Sequence, residues 1–139
     1  MRISRLKRLI DLARSERGSI TVEFVIWIPV FLVILAFMAD ATSLYLIQAD
    51  MWNVARDADR RITTGQFTPD QAKTYVASQL LYPNKPYTIT ATAGTDDVVE
   101  ISIPVQSASI FGVLAIYGGF SNAVMDAKVT MRDESALAP

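Results

Sequence analysis

The chain has 139 residues, 51% of them hydrophobic, and a formal net charge of −1. It contains neither cysteine nor histidine, which removes disulfides, thiolate metal sites and the commonest general base, and leaves only carboxylate chemistry with Mg or Ca formally open. Charge is unevenly spread. Met1 to Arg17 holds six basic residues (Arg2, Arg5, Lys7, Arg8, Arg14 and Arg17) against Asp11 and Glu16, whereas seven basic and twelve acidic residues follow from Gly18 onward. A basic head on an acidic body points to a topological signal, not to a nucleic-acid surface.

In the first segment Ile3, Leu6, Leu9, Ile10 and Ala13 recur at roughly helical spacing with the positive charges on the other faces. That pattern fits a short amphipathic helix on an anionic leaflet, and equally a basic leader whose helicity is incidental.

From Phe24 to Ala39 every residue is apolar except Pro29, and after Asp40 the apolar character resumes in Leu44, Tyr45, Leu46 and Ile47. As helix the first run rises only about 24 Å and the longer one about 36 Å, so a bilayer core needs the later turns too. The positive-inside rule then puts the N-terminus in the cytoplasm and the C-terminal part outside. Pro29 is expected to kink this helix. Asp40 is expected near its outer end, within reach of headgroups or a neighbouring subunit.

The helical pattern continues through Met51, Val54, Ala55, Ala58 and Ile62, with Gly65 the first plausible stop. One helix of about 45 residues is therefore predicted to leave the membrane and enter the outer compartment. Tyr45 and Trp52 suit an aromatic belt or a packing stripe equally. A second, shorter helix is predicted in "FTPDQAKTYVASQLLYP", with Thr68 as N-cap, Pro69 in the first turn and Ala72, Val76 and Leu80 on one face. "YTITATAG" and "DVVEISIPVQ" alternate as a hairpin around "GTDD", "AVMDAKVTMRDE" reads as a last strand, and "SASIFGVLAIYGGF" fits either a short helix or a strand. The fold class expected is α+β: a long N-terminal transmembrane helix extending into a small extracytoplasmic domain with a short helix and a three-stranded, antiparallel sheet.

Three mature N-termini are conceivable. A cleaved secretory signal would be cut near "AFMADA" and leave Thr42 first, but its charged region is too long and the helix pattern runs straight through the cut. An uncleaved single-pass anchor presenting a scaffold or binding domain keeps Met1, and makes Gly18 and Glu23 accidental. The third resembles the substrates of type IV prepilin peptidases: a basic leader, Arg17-Gly18 before the scissile bond, Glu23 as the fifth residue after it, and an apolar helix starting at Phe24.

The longer stretch "GSITVEFVIWIPVFLVILAFMAD", followed by "NVARDADRRITTG" and "AKVTMRDE", resembles the TadE family of pilus-assembly pseudopilins. The family carries a glycine just after the aspartate, where Ala41 and Thr42 stand here. The resemblance implies a minor pilin of the tight-adherence system, inserted in the bacterial inner membrane, cleaved between Gly18 and Ser19 by a prepilin peptidase. It would work with a fimbrial subunit, TadF- and TadG-like proteins and a secretion ATPase. The implied division is a cleaved leader over residues 1–18, a transmembrane and extended helix over 19–65 and a small outer domain over 66–139. Glu23 in hydrocarbon would need a partner, for which the new amino group of Ser19, on the same or an adjacent subunit, is the natural choice.

Other acidic groups have plainer expectations. Asp50, Asp57 and Asp59 read as a solvated helix face with Arg60 and Arg61 as partners, and Asp96, Asp97 and Glu100 as turn and strand-surface residues. "YGGF" reads as a turn. No acid/base pair, activated nucleophile or cofactor fingerprint is present, so a non-enzymatic structural protein without cofactors or metal is expected.

Overall fold

A computed structural model describes residues 19–132 of the chain. The leader, Gly18 and the last residues of "TMRDE" lie outside the described residues. The first element, α1 (Ser19–Thr63), is a single helix of 45 residues that runs through Pro29. It is followed by α2 (Pro69–Gln79), β1 (Thr88–Thr92), β2 (Asp96–Pro104), two short helices α3 (Val105–Ala108) and α4 (Val113–Tyr117), and β3 (Val124–Arg132). The predicted α+β class is the one observed, and the ambiguous "SASIFGVLAIYGGF" resolves into helical turns joined by bends.

The chain divides between Ala36 and Phe37 into two units. In the first, every described side chain from Thr21 to Leu35 is exposed, apolar residues included. This helix is long and apolar enough to cross a membrane, and none of its most apolar window is buried within the protein. An aqueous surface of that composition is unfavourable, so lipid or other helices are its natural surroundings.

In the second unit α1 becomes one-sided. Ile47, Met51, Ala55, Ala58 and Ile62 are buried while Tyr45, Trp52, Arg56 and Arg60 are exposed. Those buried positions step by three and four residues, which is the stripe a helix lays on a core. Against it lies one face of an antiparallel meander in the order β1-β2-β3. The inward residues of β2 are Asp97, Val99, Ile101 and Ile103, alternating with residues that stay at least partly exposed. Their register partners complete the face: Ala91 opposite Val99, Val129 opposite Val99 from the other side, and Ala127 opposite Ile101. From α2, Ala72, Val76 and the capping Leu80 join the same core.

The helix ends are set by local chemistry. Gly65 has φ +70, its N–H donates to Ile62 O at 2.8 Å, and the N–H of Gln66 donates to Arg61 O at 2.9 Å. Those two bonds form a Schellman stop, which needs a residue that tolerates positive φ. At the start of α2, Thr68 and Gln71 form a complete capping box with Pro69 at the first helical position.

Candidate functional site

Two regions of α1 concentrate the chemistry. The first is its start. Ser19 opens the helix and Glu23 lies one turn further on, an exposed carboxylate among exposed apolar side chains, with Phe24 immediately after it. Ser19 and Glu23 are thus separated by about one turn of the same helix. Seventeen residues later, past Pro29, comes Asp40, which belongs to the second unit.

Asp40 is not directed outward. Its side chain is fully buried, and its two oxygens accept four backbone N–H groups: Oδ1 from Ile110 at 2.9 Å and Phe111 at 2.7 Å, Oδ2 from Val113 at 2.6 Å and Leu114 at 3.2 Å. The expectation of headgroup or inter-subunit contact gives way to a different role. Val113 and Leu114 are the first residues of α4, whose own N-cap is Gly112 with φ +71 and no side-chain cap bond. A residue in the long helix thus caps a short one through space, satisfying the free N–H groups that every helix start exposes.

Other polar side chains of α1 act in the same manner. Ser43 Oγ donates to Ala108 O at 2.9 Å, and Gln48 Nε2 to Asp126 O at 2.8 Å. Asp50 Oδ2 accepts from the Leu81 N–H at 2.8 Å. Further on, Asp57 Oδ2 accepts from Tyr75 Oη at 2.6 Å and from Arg61 Nε at 3.0 Å. The guanidinium lies over the rings of Phe67 and Tyr75, with its central carbon 5.2 and 4.8 Å from their centroids. The Tyr75 hydroxyl first, with Arg61 beside it, holds the Asp57 carboxyl below its ordinary pKa. Arg61 is the helix partner that the charge pattern predicts for Asp57. Tyr75 has no signal in the linear spacing, because it arrives from α2.

Asp59 and Asp97 differ from the solvated and turn-surface roles expected of them. Both are buried, and neither oxygen of Asp59 has a hydrogen-bond partner among the described residues. Burial first, and the charge of Asp97 second, push the Asp59 carboxyl up to about 6, and the nearby Met131 backbone offsets only part of this without a well-formed hydrogen bond. Asp97 Oδ1 accepts the Gly94 N–H at 3.1 Å and so closes the β1–β2 turn. Among the described residues no group of three or more potential metal-ligating side chains is assembled.

The family model of TadE-like proteins matches residues 18–60. Over this stretch the chain is TadE-like. The matched segment begins at Gly18, takes in Glu23, Phe24, Pro29 and Asp40, and ends shortly before Ile62, the last buried position of the α1 stripe. The match covers 43 of the 139 residues, and the likeness to TadE-like proteins is that of this stretch. Among the described residues one helix is long and apolar enough to cross a membrane in a single pass. No curated protein and no solved structure matches the chain.

Proposed function

We propose that this chain is a minor pilin or pseudopilin of a Tad-type type IV pilus, cut between Gly18 and Ser19 by a prepilin peptidase. It stands in the inner membrane with its N-terminus cytoplasmic and its folded domain outside, and acts by packing with other pilin-like subunits, not by catalysis. The observation that carries this reading is the junction itself: a basic leader, Gly18, and Glu23 five residues on, at the head of an apolar helix inside a TadE-like match. While the leader is attached, its six basic residues favour retention on the cytoplasmic side. Cutting removes them together and creates a cation at Ser19 close to the Glu23 carboxylate. A carboxylate at that depth is costly alone and acceptable when paired. The cut therefore licenses Glu23 to set axial register against its own or an adjacent N-terminus.

The burial of Asp40 also bears on the competing signal-peptide reading. A cut leaving Thr42 first would remove the residue that holds the backbone of Ile110 to Leu114. N-terminal sequencing or intact mass of the membrane form tests the proposal. A start at Ser19 is expected, and a start at Met1 or Thr42 would refute it. Glu23→Ala should leave cleavage largely intact and abolish incorporation with other pilin-like subunits, read by co-purification of the processed form with sheared fibres or membranes. Partners in that fraction are expected to include the fimbrial subunit and TadF- or TadG-like proteins.

A further inference from the structure

The segment between β2 and β3 carries an apolar surface that the core does not use. From Ile101 to Met125 there is no charged residue, and within this stretch Ile110, Phe111, Ile116, Tyr117 and Phe120 are all exposed, Tyr117 to 85%. A mostly apolar groove lined by Met38, Ala39, Leu46, Tyr82 and Ile110 opens beside them.

One residue of α1 holds the first part of this surface. Asp40 grips the backbone of Ile110, Phe111, Val113 and Leu114 directly. Asp40 is also the first polar residue after the apolar run Phe24 to Ala39. Those sixteen residues span about 24 Å, and a hydrocarbon core is about 30 Å thick. A core of that thickness takes in about four residues beyond Ala39, so Asp40 and the Ile110 to Leu114 backbone fastened to it fall just inside its outer edge. There a free carboxylate would be costly, and this one has its oxygens filled by four N–H groups. Tyr45, three residues beyond Thr42 and 74% exposed, supplies an aromatic at the same rim.

We infer that the 110–120 segment is a second membrane contact: its exposed Ile110, Phe111, Ile116, Tyr117 and Phe120 side chains enter the outer-leaflet interface while Asp40 pins the segment to the anchor helix. The contact is with lipid, because the segment is uncharged, rich in interfacial aromatics and fixed where the apolar run ends. It gives the domain two points of attachment, which holds its orientation over the bilayer and must be released before the subunit can leave the membrane. The inference rests on the single-pass anchoring, and not on cleavage after Gly18.

The absence of native cysteine makes the test clean. Full-length Phe111→Cys, Ile116→Cys and Tyr117→Cys would each carry an environment-sensitive fluorophore, in vesicles of phosphatidylethanolamine and phosphatidylglycerol doped with nitroxide lipids of graded depth. Leu32→Cys reports the span and Asp70→Cys the solvated face of α2. All five side chains are exposed, so the substitutions leave the core untouched. The expected result is quenching of the three segment probes from about 5–10 Å below the headgroups, several-fold stronger than at Asp70→Cys. Quenching of Leu32→Cys alone would overturn the inference and leave the anchoring intact. If Leu32→Cys is also unquenched, anchoring and inference fall together. Probes that shift to the blue only as protein density rises, without quenching by lipid, would show a protein-binding surface and also overturn it.

Discussion

Asp40 and Asp59 are fully buried carboxylates on one helix with opposite surroundings. Asp40 accepts four N–H groups, and removing it orphans them, so Asp40→Ala should lower stability by about 3 kcal/mol and make residues 109–117 sensitive to protease. Among the described residues Asp59 has no hydrogen-bond partner, and burial first, with the charge of Asp97 second, pushes its carboxyl up to about 6 from the ordinary 3.8. The folded state then binds more protons than the unfolded chain between those values, so stability falls as pH rises from about 4 to about 6 and levels off above. The span of that shift corresponds to about 3 kcal/mol at neutral pH. Asp59→Asn should therefore raise the melting temperature at pH 7.5, have little effect near pH 4, and flatten the profile between. Asp57 acts in a separate window, since its depressed pKa gives stability that is lost only as pH drops below the ordinary carboxylate range.

At the scale of the element, most boundaries are explained by residues within a few positions. Thr68, Pro69 and Gln71 start α2, and Thr68→Ala should cost about 1 kcal/mol in thermal or denaturant unfolding. Gly65 stops α1 at φ +70, and Gly65→Ala should cost a further amount of about 1 kcal/mol through backbone strain alone, since a side chain there would meet no neighbouring atom. These signals, the stripe from Ile47 to Ile62 and the alternation of β2 were legible because they depend on chain-local geometry. The 105–117 segment was not. Its apolar residues fit strand or helix, and α4 is too short to be stable by propensity, so its form depends on a cap delivered from Asp40, seventy residues earlier for Ile110.

For the whole molecule, the division between Ala36 and Phe37 predicts that the outer unit does not need the apolar part of α1 in order to fold. A fragment beginning at Phe37 should unfold cooperatively, whereas one beginning at Thr42 should be less stable by about 3 kcal/mol because it lacks Asp40. Denaturant titration of the two fragments measures the difference. By itself the sequence determined the basic head, the length and place of the apolar helix, the Gly18 to Glu23 junction and the α+β class, because each is a matter of composition or of one short period. Only the tertiary structure decided what the polar residues of α1 do. Asp40 reads in the linear pattern as a carboxylate facing headgroups or a neighbour, and Asp50 and Asp57 as a solvated face, yet these three, with Ser43 and Gln48, meet backbone or side-chain groups brought in by later segments. Hydrogen-bond partners distant along the chain leave no mark on local periodicity. A carboxylate in solvent and one buried against four amides are therefore the same letter until the chain has folded.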